Sequence, residues 1–134
     1  MGALTLDASA ATRAVLDTVT HESILDRISR ADAVYAPSLF VVETANALWK
    51  YVNGKHISEE SALRLHREAI ALVDKPISSA ELFPEALLLA AQLHHPVYDI
   101  LYLVTARRTG STLLTSDKAL AELARKAGVD VAAH

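Results

Sequence analysis

Short apolar segments alternate with longer segments of helical periodicity along this sequence, and this alternation restricts the fold more than any other feature. Apolar and β-branched residues predict strands at 4–6, 33–36, 76–78, 112–115 and 129–131. Helical spacing and cap residues predict helices at 8–17, 22–30, 38–52, 81–93, 98–108 and 117–126, and another that opens at Ser58. Strands separated by helices favour right-handed crossovers and parallel pairing. The sequence therefore predicts an α/β fold of three layers, α/β/α, around a mainly parallel sheet of about five strands.

The size and composition are typical of a globular domain. With 134 residues, of which 51% are hydrophobic and 22% charged, the chain is predicted to form one domain over residues 1–134. It has no cysteine, which excludes disulfides and thiolate metal sites. The first residues lack the basic and apolar regions of a signal peptide, and no apolar run approaches the ~20 residues of a membrane span. We therefore expect a cytoplasmic protein that does not associate with a membrane.

The formal net charge of −3 limits the nucleic-acid functions that are open to the chain. Proteins that coat nucleic acid usually carry a basic patch, so this charge argues against that class. It does not exclude an enzyme that reaches nucleic acid through bound cations, because metal ions reverse the local field of an acidic site.

Two acids follow predicted strands. Asp7 comes directly after the strand at 4–6, and Asp117 follows the strand at 112–115 after one intervening serine. Ligand sites of parallel sheets lie beyond the carboxyl ends of the strands, so both acids occupy a position that favours function. Each could instead be the N-cap of the helix that follows, which is an equally ordinary role for Asp. The sequence leaves both alternatives open.

Two further acids lie on helices that are otherwise apolar. Between residues 39 and 49 the polar residues are Glu43, Thr44 and Asn46, and a carboxylate on a buried helix is costly unless it is paired or binds a cation. A Glu43–Asn46 pair or a surface-facing stripe is the alternative. Asp99 lies in the first turn of a largely apolar helix, and we expect it to be the acid deepest in a cleft. Together the four carboxylates could hold Mg²⁺ and align water with a leaving oxygen.

Four segments carry a resemblance to a known family: residues 4–9, residues 36–38 leading into 42–50, residues 97–103, and residues 113–120. In this order and spacing they resemble the PIN-domain ribonucleases, in particular the VapC-like toxins of toxin–antitoxin pairs. The resemblance covers essentially the entire chain. It implies an Mg²⁺- or Mn²⁺-dependent endoribonuclease with a metal-activated water as nucleophile. The products would carry a 3′-hydroxyl and a 5′-phosphate.

The resemblance also implies roles for particular residues. The implied catalytic acids, which are also the implied metal ligands, are Asp7, Glu43, Asp99 and Asp117. The hydroxyls implied to lie near the site, where one could position water, are those of Ser9, Thr115 and Ser116. The candidate RNA-binding residues, although such residues are more often solvated surface charges, are Arg13, Lys50 and Lys118.

The implied partners are an RNA substrate, a cognate antitoxin and a second copy of the chain in a homodimer. The antitoxin would lay a helix or an extended tail over the acidic cleft, and an arginine among the carboxylates would block metal binding. The adjacent His94 and His95 are interpreted as loop or helix-end residues before Pro96, because neighbouring residues on a helix do not face one another. Mg²⁺ would also prefer the carboxylates to imidazole.

Two other functions remain open. A PIN-like module could bind RNA or a protein without cleaving, but binding RNA alone would gain from fewer negative charges. A phosphotransfer receiver also places Asp at strand ends, yet Asp7 has no acidic neighbour and Lys118 directly follows Asp117. Metal-dependent RNA cleavage is therefore the leading hypothesis.

Overall fold

The computed structural model describes residues 2–16 and 21–133, which form a parallel sheet flanked by helices. The strands are β1 (Leu4–Leu6), β2 (Val34–Pro37), β3 (Lys75–Ile77), β4 (Thr112–Thr115) and β5 (Val131–Ala133). They lie in the order β3-β2-β1-β4-β5, and each neighbouring pair is parallel. The predicted parallel sheet is confirmed.

Seven helices connect these strands within the described residues. They are α1 (Ala8–Leu16), α2 (His21–Arg30), α3 (Leu39–Asn53), α4 (Glu59–Ala71), α5 (Ser79–Leu93), α6 (Val97–Thr109) and α7 (Lys118–Lys126). Crossovers between parallel strands are right-handed, so the connections that lead toward β3 place α1–α4 on one face of the sheet. Those that lead toward β5 place α5–α7 on the other face. The predicted three-layer arrangement is confirmed.

The two central strands and α6 form the middle of the core. All three residues of β1 are buried, and Leu6, Leu113 and Leu114 are fully enclosed. Helix α6 packs across β1, β2 and β4, and its residues from 100 to 106 are all buried. Burial of one leucine side chain stabilises the fold by about 1.5–3 kcal/mol. The nearly continuous apolar sequence of α6 is thus that of an enclosed helix, as predicted.

Two left-handed residues direct the chain into and out of α6. His94 ends α5 with φ 53°, and Pro96 is the N-cap residue of α6. Gly110 ends α6 with φ 63°, a conformation that glycine adopts without steric cost. These ends determine where α6 begins and where β4 starts, and therefore where Asp99 and Asp117 lie.

Pro37 belongs to β2, since the strand predicted at 33–36 lies one residue later, at Val34–Pro37. It is the last residue of β2, opposite Ile77, and the next residue, Ser38, donates its backbone N–H to Ile77 O at 2.7 Å. A proline fits the end of a strand because no further ladder bond from its own nitrogen is needed there. The last strand lies at Val131–Ala133 rather than at 129–131. The predicted end of the first helix, Asp17, lies outside the described residues.

Helix α3 is not a buried helix, although its apolar sequence predicts one. Its buried residues are Phe40, Thr44 and Leu48, whereas Val42 and Trp49 are 63% and 56% exposed. The helix belongs to an outer layer and turns one face to the core, so apolar residues on its other face remain on the surface. The same position in an outer layer leaves Leu63 of α4 exposed.

Among the helices in the described ranges, no single one is long and apolar enough to cross a membrane. Helices α5 and α6 reach that length and composition only as a pair, bent by 116° at their junction.

Candidate active site

A cleft of about 500 Å³ opens at the carboxyl edge of the sheet. From the central pair of β1 and β4, the sheet extends through β2 and β3 on one side and through β5 on the other. The direction of strand addition therefore reverses between β1 and β4, and such a point is where open α/β sheets bind ligands. The acids that line the cleft are Asp7 after β1, Glu43 on α3, Asp99 on α6 and Asp117 before α7. The structure therefore brings to one place four side chains that are far apart in the sequence.

Asp7 is the deepest of the four acids and is only 4% exposed. Its carboxylate accepts hydrogen bonds from Thr115 Oγ1 at 2.6 Å, from Ser9 Oγ at 2.8 and 2.9 Å, and from the Ala10 N–H at 2.9 Å. Burial raises the pKa of Asp7 to about 6, although these three donors lower it; the charge of Asp117 raises it slightly further. The bond from Ala10 is an N-cap bond, so Asp7 both caps α1 and lines the cleft.

Two hydroxyls near Asp7 hold the carboxylate and the adjoining turn. Ser9 Oγ, besides donating to Asp7, accepts the Ser116 N–H at 3.0 Å. Thr115 Oγ1 accepts the Asp117 N–H at 3.0 Å. Ser116 Oγ is buried and has no hydrogen-bond partner in the part of the chain that is described. In this structure the hydroxyls of Ser9 and Thr115 therefore orient the acids.

Asp117 also combines a cap with a place in the cleft. Its Oδ1 accepts the N–H groups of Ala119 at 2.9 Å and Leu120 at 3.2 Å, which makes it the N-cap of α7. The two alternatives for strand-end acids are thus not exclusive. A helix that starts at the carboxyl edge presents its capping carboxylate to the same cleft.

Glu43 is half-buried, and its Oε1 accepts a hydrogen bond from the Tyr102 hydroxyl at 2.5 Å. Burial raises the pKa of Glu43, and the charge of Asp99 adds to this, whereas the bond from Tyr102 lowers it. The alternative pair with Asn46 is not formed among the described residues. Asn46 and Lys50 instead line the cleft beside Glu43, as their helical spacing predicts.

The sequence predicts that Asp99 is the deepest acid, and this prediction is wrong. Asp99 lies in the first turn of α6, at the rim of the cleft, and its side chain is 37% exposed. His95 Nε2 lies 3.6 Å from Asp99 Oδ2. Burial raises the pKa of Asp99 and the charge of Asp117 adds to this, whereas His95 lowers it. His95 Nδ1 lies 2.9 Å from Pro96 O and donates to this carbonyl, whereas the contact of Nε2 with Asp99 is longer than a hydrogen bond.

Sequence reasoning missed two residues of this site. Tyr102 contacts Glu43, and His95 contacts Asp99. Tyr102 lies one helical turn from Asp99, at i+3 on α6, and that spacing is the signal that could have identified it. His95 lies in the connection before α6, where no helical spacing applies. Burial raises the pKa of Tyr102 well above its usual value, and Glu43 raises it further, so its hydroxyl remains protonated.

The donor atoms suit a hard divalent cation, since carboxylate oxygens are the ligands that Mg²⁺ and Mn²⁺ take. Burial and repulsion from neighbouring acids raise the pKa values of Asp7, Glu43 and Asp99. A cation in the cleft would offset both effects, because its positive charge stabilises the ionised carboxylates. Within residues 2–16 and 21–133, however, no three His, Cys, Asp or Glu side chains are already arranged to hold a metal ion. Asp7, Glu43 and Asp117 are each held by hydrogen bonds from the protein, so the carboxylates line the cleft without converging.

The three predicted RNA-binding residues lie in different places. Lys50 is exposed and lines the cleft. Lys118 is exposed at the start of α7 and Arg13 is half-buried on α1, and both lie outside the cleft lining. Tyr98, which sequence reasoning did not assign to RNA, is an exposed aromatic residue in the lining.

The family model described as the PIN domain matches residues 4–126. The chain belongs to the PIN-domain family. This PIN domain is 31% identical over 121 residues to ribonuclease VapC3 of Pyrobaculum aerophilum, a match that covers 89% of this chain and 92% of the relative. The predicted resemblance to VapC-like PIN domains is confirmed.

Solved structures share the fold of this PIN domain. PAE2754 from Pyrobaculum aerophilum superposes with a TM-score of 0.73 at 21% identity and covers 96% of this chain and 82% of its own. VapBC2 from Rickettsia felis, solved with a DNA fragment from their promoter, gives a TM-score of 0.68 at 12% identity and covers 98% of each chain. At these identities the two structures show the fold alone.

Proposed function

We propose that this PIN domain is a metal-dependent endoribonuclease and the toxin of a toxin–antitoxin pair. The observation that carries the proposal is that four acids from four separate parts of the chain line one cleft at the carboxyl edge of the sheet. The similarity to a protein named ribonuclease VapC3 supports RNA as the substrate class. An acidic cleft of this kind would repel a phosphate chain unless a cation were bound.

Asp7, Glu43, Asp99 and Asp117 are the residues that would hold the cation, through their carboxylate oxygens. When bound, Mg²⁺ or Mn²⁺ supplies positive charge that attracts the scissile phosphate and makes water a stronger acid.

The acids of the chain contribute in different ways. Asp7 and Asp117 are fixed by hydroxyl and backbone donors, so they supply carboxylates in constant positions. Glu43 and Asp99 are less buried than Asp7 and reach the cleft from helices α3 and α6. Either carboxylate could accept a proton from water in the cleft.

The lining beyond the acids suits a nucleic-acid strand. The Lys50 ammonium can contact a phosphate next to the scissile one, and the exposed ring of Tyr98 can stack on an unpaired base. Arg13 and Lys118 remain candidates for RNA outside the cleft. Hydrolysis with water as the nucleophile would leave a 3′-hydroxyl and a 5′-phosphate.

The proposed partners of the toxin are a cognate antitoxin and a second copy of the chain. The name of the VapBC2 structure supports the first of these. Val42 and Trp49 leave apolar area exposed on α3, and Val42 also lines the cleft, so an antitoxin segment could cover both. We expect the pair to act in the cytoplasm, with residues 1–134 as one functional unit.

Analysis of RNA ends tests this proposal against a PIN domain that binds RNA or a protein without cutting. Purified protein is incubated with a long single-stranded RNA and Mn²⁺, and new ends are ligated and sequenced with and without prior phosphatase treatment. New 5′-phosphate ends are expected. RNA that is retarded in a native gel but stays intact, or that is neither bound nor cut, would contradict the proposal.

A further inference from the structure

We infer that Tyr102 is a positioning residue, which holds Glu43 in place for the cation. The inference rests on the proposed function. Tyr102 lies on α6 and Glu43 on α3, so the bond between them joins helices from opposite faces of the sheet across its carboxyl edge. Tyr102 belongs to neither the predicted acids nor the predicted hydroxyls.

The hydroxyl of Tyr102 is a fixed donor because the ring is fixed. The side chain is 1% exposed and belongs to the main core cluster, between the buried residues Leu101 and Leu103. The residue nevertheless contributes to the cleft lining, so one end of the side chain is anchored in the core and the other reaches the acids. A tyrosine with an apolar body and a buried hydroxyl usually has a specific partner for that hydroxyl. Here the partner is Glu43 Oε1.

Glu43 needs such an anchor because its helix gives it little enclosure. Its neighbour Val42 is exposed, and Glu43 itself is half-buried. A glutamate side chain loses considerable rotamer freedom when it is fixed, so an unsupported one would sample several positions. Tyr102 is the donor to Glu43 among the described residues, and it engages one carboxylate oxygen. The second oxygen is then left for a cation or for water.

Residues that orient a metal ligand commonly change metal affinity when they are removed. Two of the other acids have comparable supports: Thr115 and Ser9 for Asp7, and backbone N–H groups for Asp117. Tyr102 would complete this set by supporting the acid on α3. A merely structural bond between α3 and α6 would instead affect stability and leave the affinity of the cleft for metal unchanged.

A double-mutant cycle on metal binding separates these roles. The Mn²⁺ dissociation constant is measured by calorimetry for the parent, Tyr102→Phe, Glu43→Gln and the double variant, without RNA. Tyr102→Phe keeps the ring in the core and should weaken Mn²⁺ binding by about tenfold. In the Glu43→Gln background the same change should alter binding by less than about twofold, because Tyr102 acts through Glu43. Tyr51→Phe removes a hydroxyl from an exposed tyrosine of α3 that does not line the cleft, and it should leave Mn²⁺ binding unchanged.

Other outcomes overturn the inference in distinguishable ways. Equal Mn²⁺ affinity of the parent and a folded Tyr102→Phe overturns the inference alone, and so does an equal loss in both backgrounds. A parent that binds no Mn²⁺ overturns the proposed function as well. If Tyr102→Phe does not fold, NMR of the metal-free parent replaces it. A slowly exchanging Tyr102 hydroxyl proton whose resonance shifts on addition of Mg²⁺ and is lost in Glu43→Ala supports the inference, and its absence from the parent contradicts it.

Discussion

Thr115 Oγ1 donates a hydrogen bond of 2.6 Å to Asp7 Oδ2 and so ties the end of β4 to the residue that follows β1. The two strands are neighbours in the sheet although they are far apart in the sequence. The same hydroxyl accepts the Asp117 N–H, so one side chain sets the relative position of two acids. The geometry of the cleft therefore depends on the pairing of β1 with β4.

Thr115→Val should destabilise the protein and weaken its activity. Valine has nearly the shape of threonine, so the loss comes from leaving Asp7 without its shortest hydrogen bond, at a cost of about 1–3 kcal/mol in the free energy of unfolding. Urea denaturation in EDTA measures this loss. Ser116→Ala is the matched control, because the hydroxyl of Ser116 has no partner in the described part of the chain and its removal should change stability by less than about 0.5 kcal/mol. Equal stability of parent and Thr115→Val would contradict the account.

The stability of the metal-free protein should fall as pH rises, in a way that depends on Asp7. Its pKa is raised from 3.8 to about 6 in the folded protein, mainly by burial, so the folded state binds more protons than the unfolded state between these values. The contribution of Asp7 is therefore most favourable below about pH 4 and is lost as pH rises through about 6, a change of roughly 3 kcal/mol.

Asp7→Asn should remove this part of the pH dependence. Asparagine caps a helix as well as aspartate does, so α1 should remain capped. Asp7→Ala removes the cap as well and should be less stable than Asp7→Asn by about 0.5–2 kcal/mol. Urea melts of the three proteins in EDTA between pH 4 and 7 measure both effects. Parallel pH profiles for the parent and Asp7→Asn would show that the buried carboxyl does not titrate as described.

Lys50→Ala should weaken RNA binding and reduce its dependence on salt. Among the described residues that line the cleft, Lys50 is the one with a positively charged side chain. Loss of one phosphate contact lowers the slope of the logarithm of the binding constant against the logarithm of the salt concentration by about one. Anisotropy of a labelled oligouridine is measured across salt concentrations in an Asp99→Asn background, which prevents cleavage. Lys126→Ala, an exposed lysine at the far end of α7, serves as control. Identical slopes for Lys50→Ala and this control would remove Lys50 from the RNA surface.

The acids that follow strands could be predicted from the sequence because their placement depends on short-range patterns. The residue after a parallel strand lies at the functional edge of the sheet whatever packs around it, which is why Asp7 and Asp117 were accessible to sequence reasoning. Their dual role as caps was not foreseen, since the sequence presents cap and site as alternatives. The capping bonds from Ala10 and Ala119 show that one carboxylate can serve both roles.

Helical spacing places Tyr102 near Asp99, but its bond to Glu43 could not be predicted in the same way, because that bond depends on how α3 packs relative to α6. The contact of His95 depends on the path of the chain between α5 and α6. An apolar sequence also does not distinguish a helix enclosed by the core, such as α6, from one in an outer layer, such as α3. This is why Trp49 is on the surface against expectation. The sequence places Asp99 too deep because α6 is buried from residue 100 onward, whereas Asp99 lies in its first turn.

Cleavage of RNA with metal removed and restored tests the central claim most directly. The parent should cut a single-stranded RNA in Mg²⁺ or Mn²⁺, stop when EDTA is added, and resume when excess Mn²⁺ is returned. Asp99→Asn keeps the shape of the side chain but removes its charge, so the folded variant should lose activity by orders of magnitude, whereas the exposed control Asp130→Asn should cut normally. Cleavage by the parent that persists in EDTA, or near-normal cleavage by folded Asp99→Asn, would contradict the claim that these acids form a metal-dependent site.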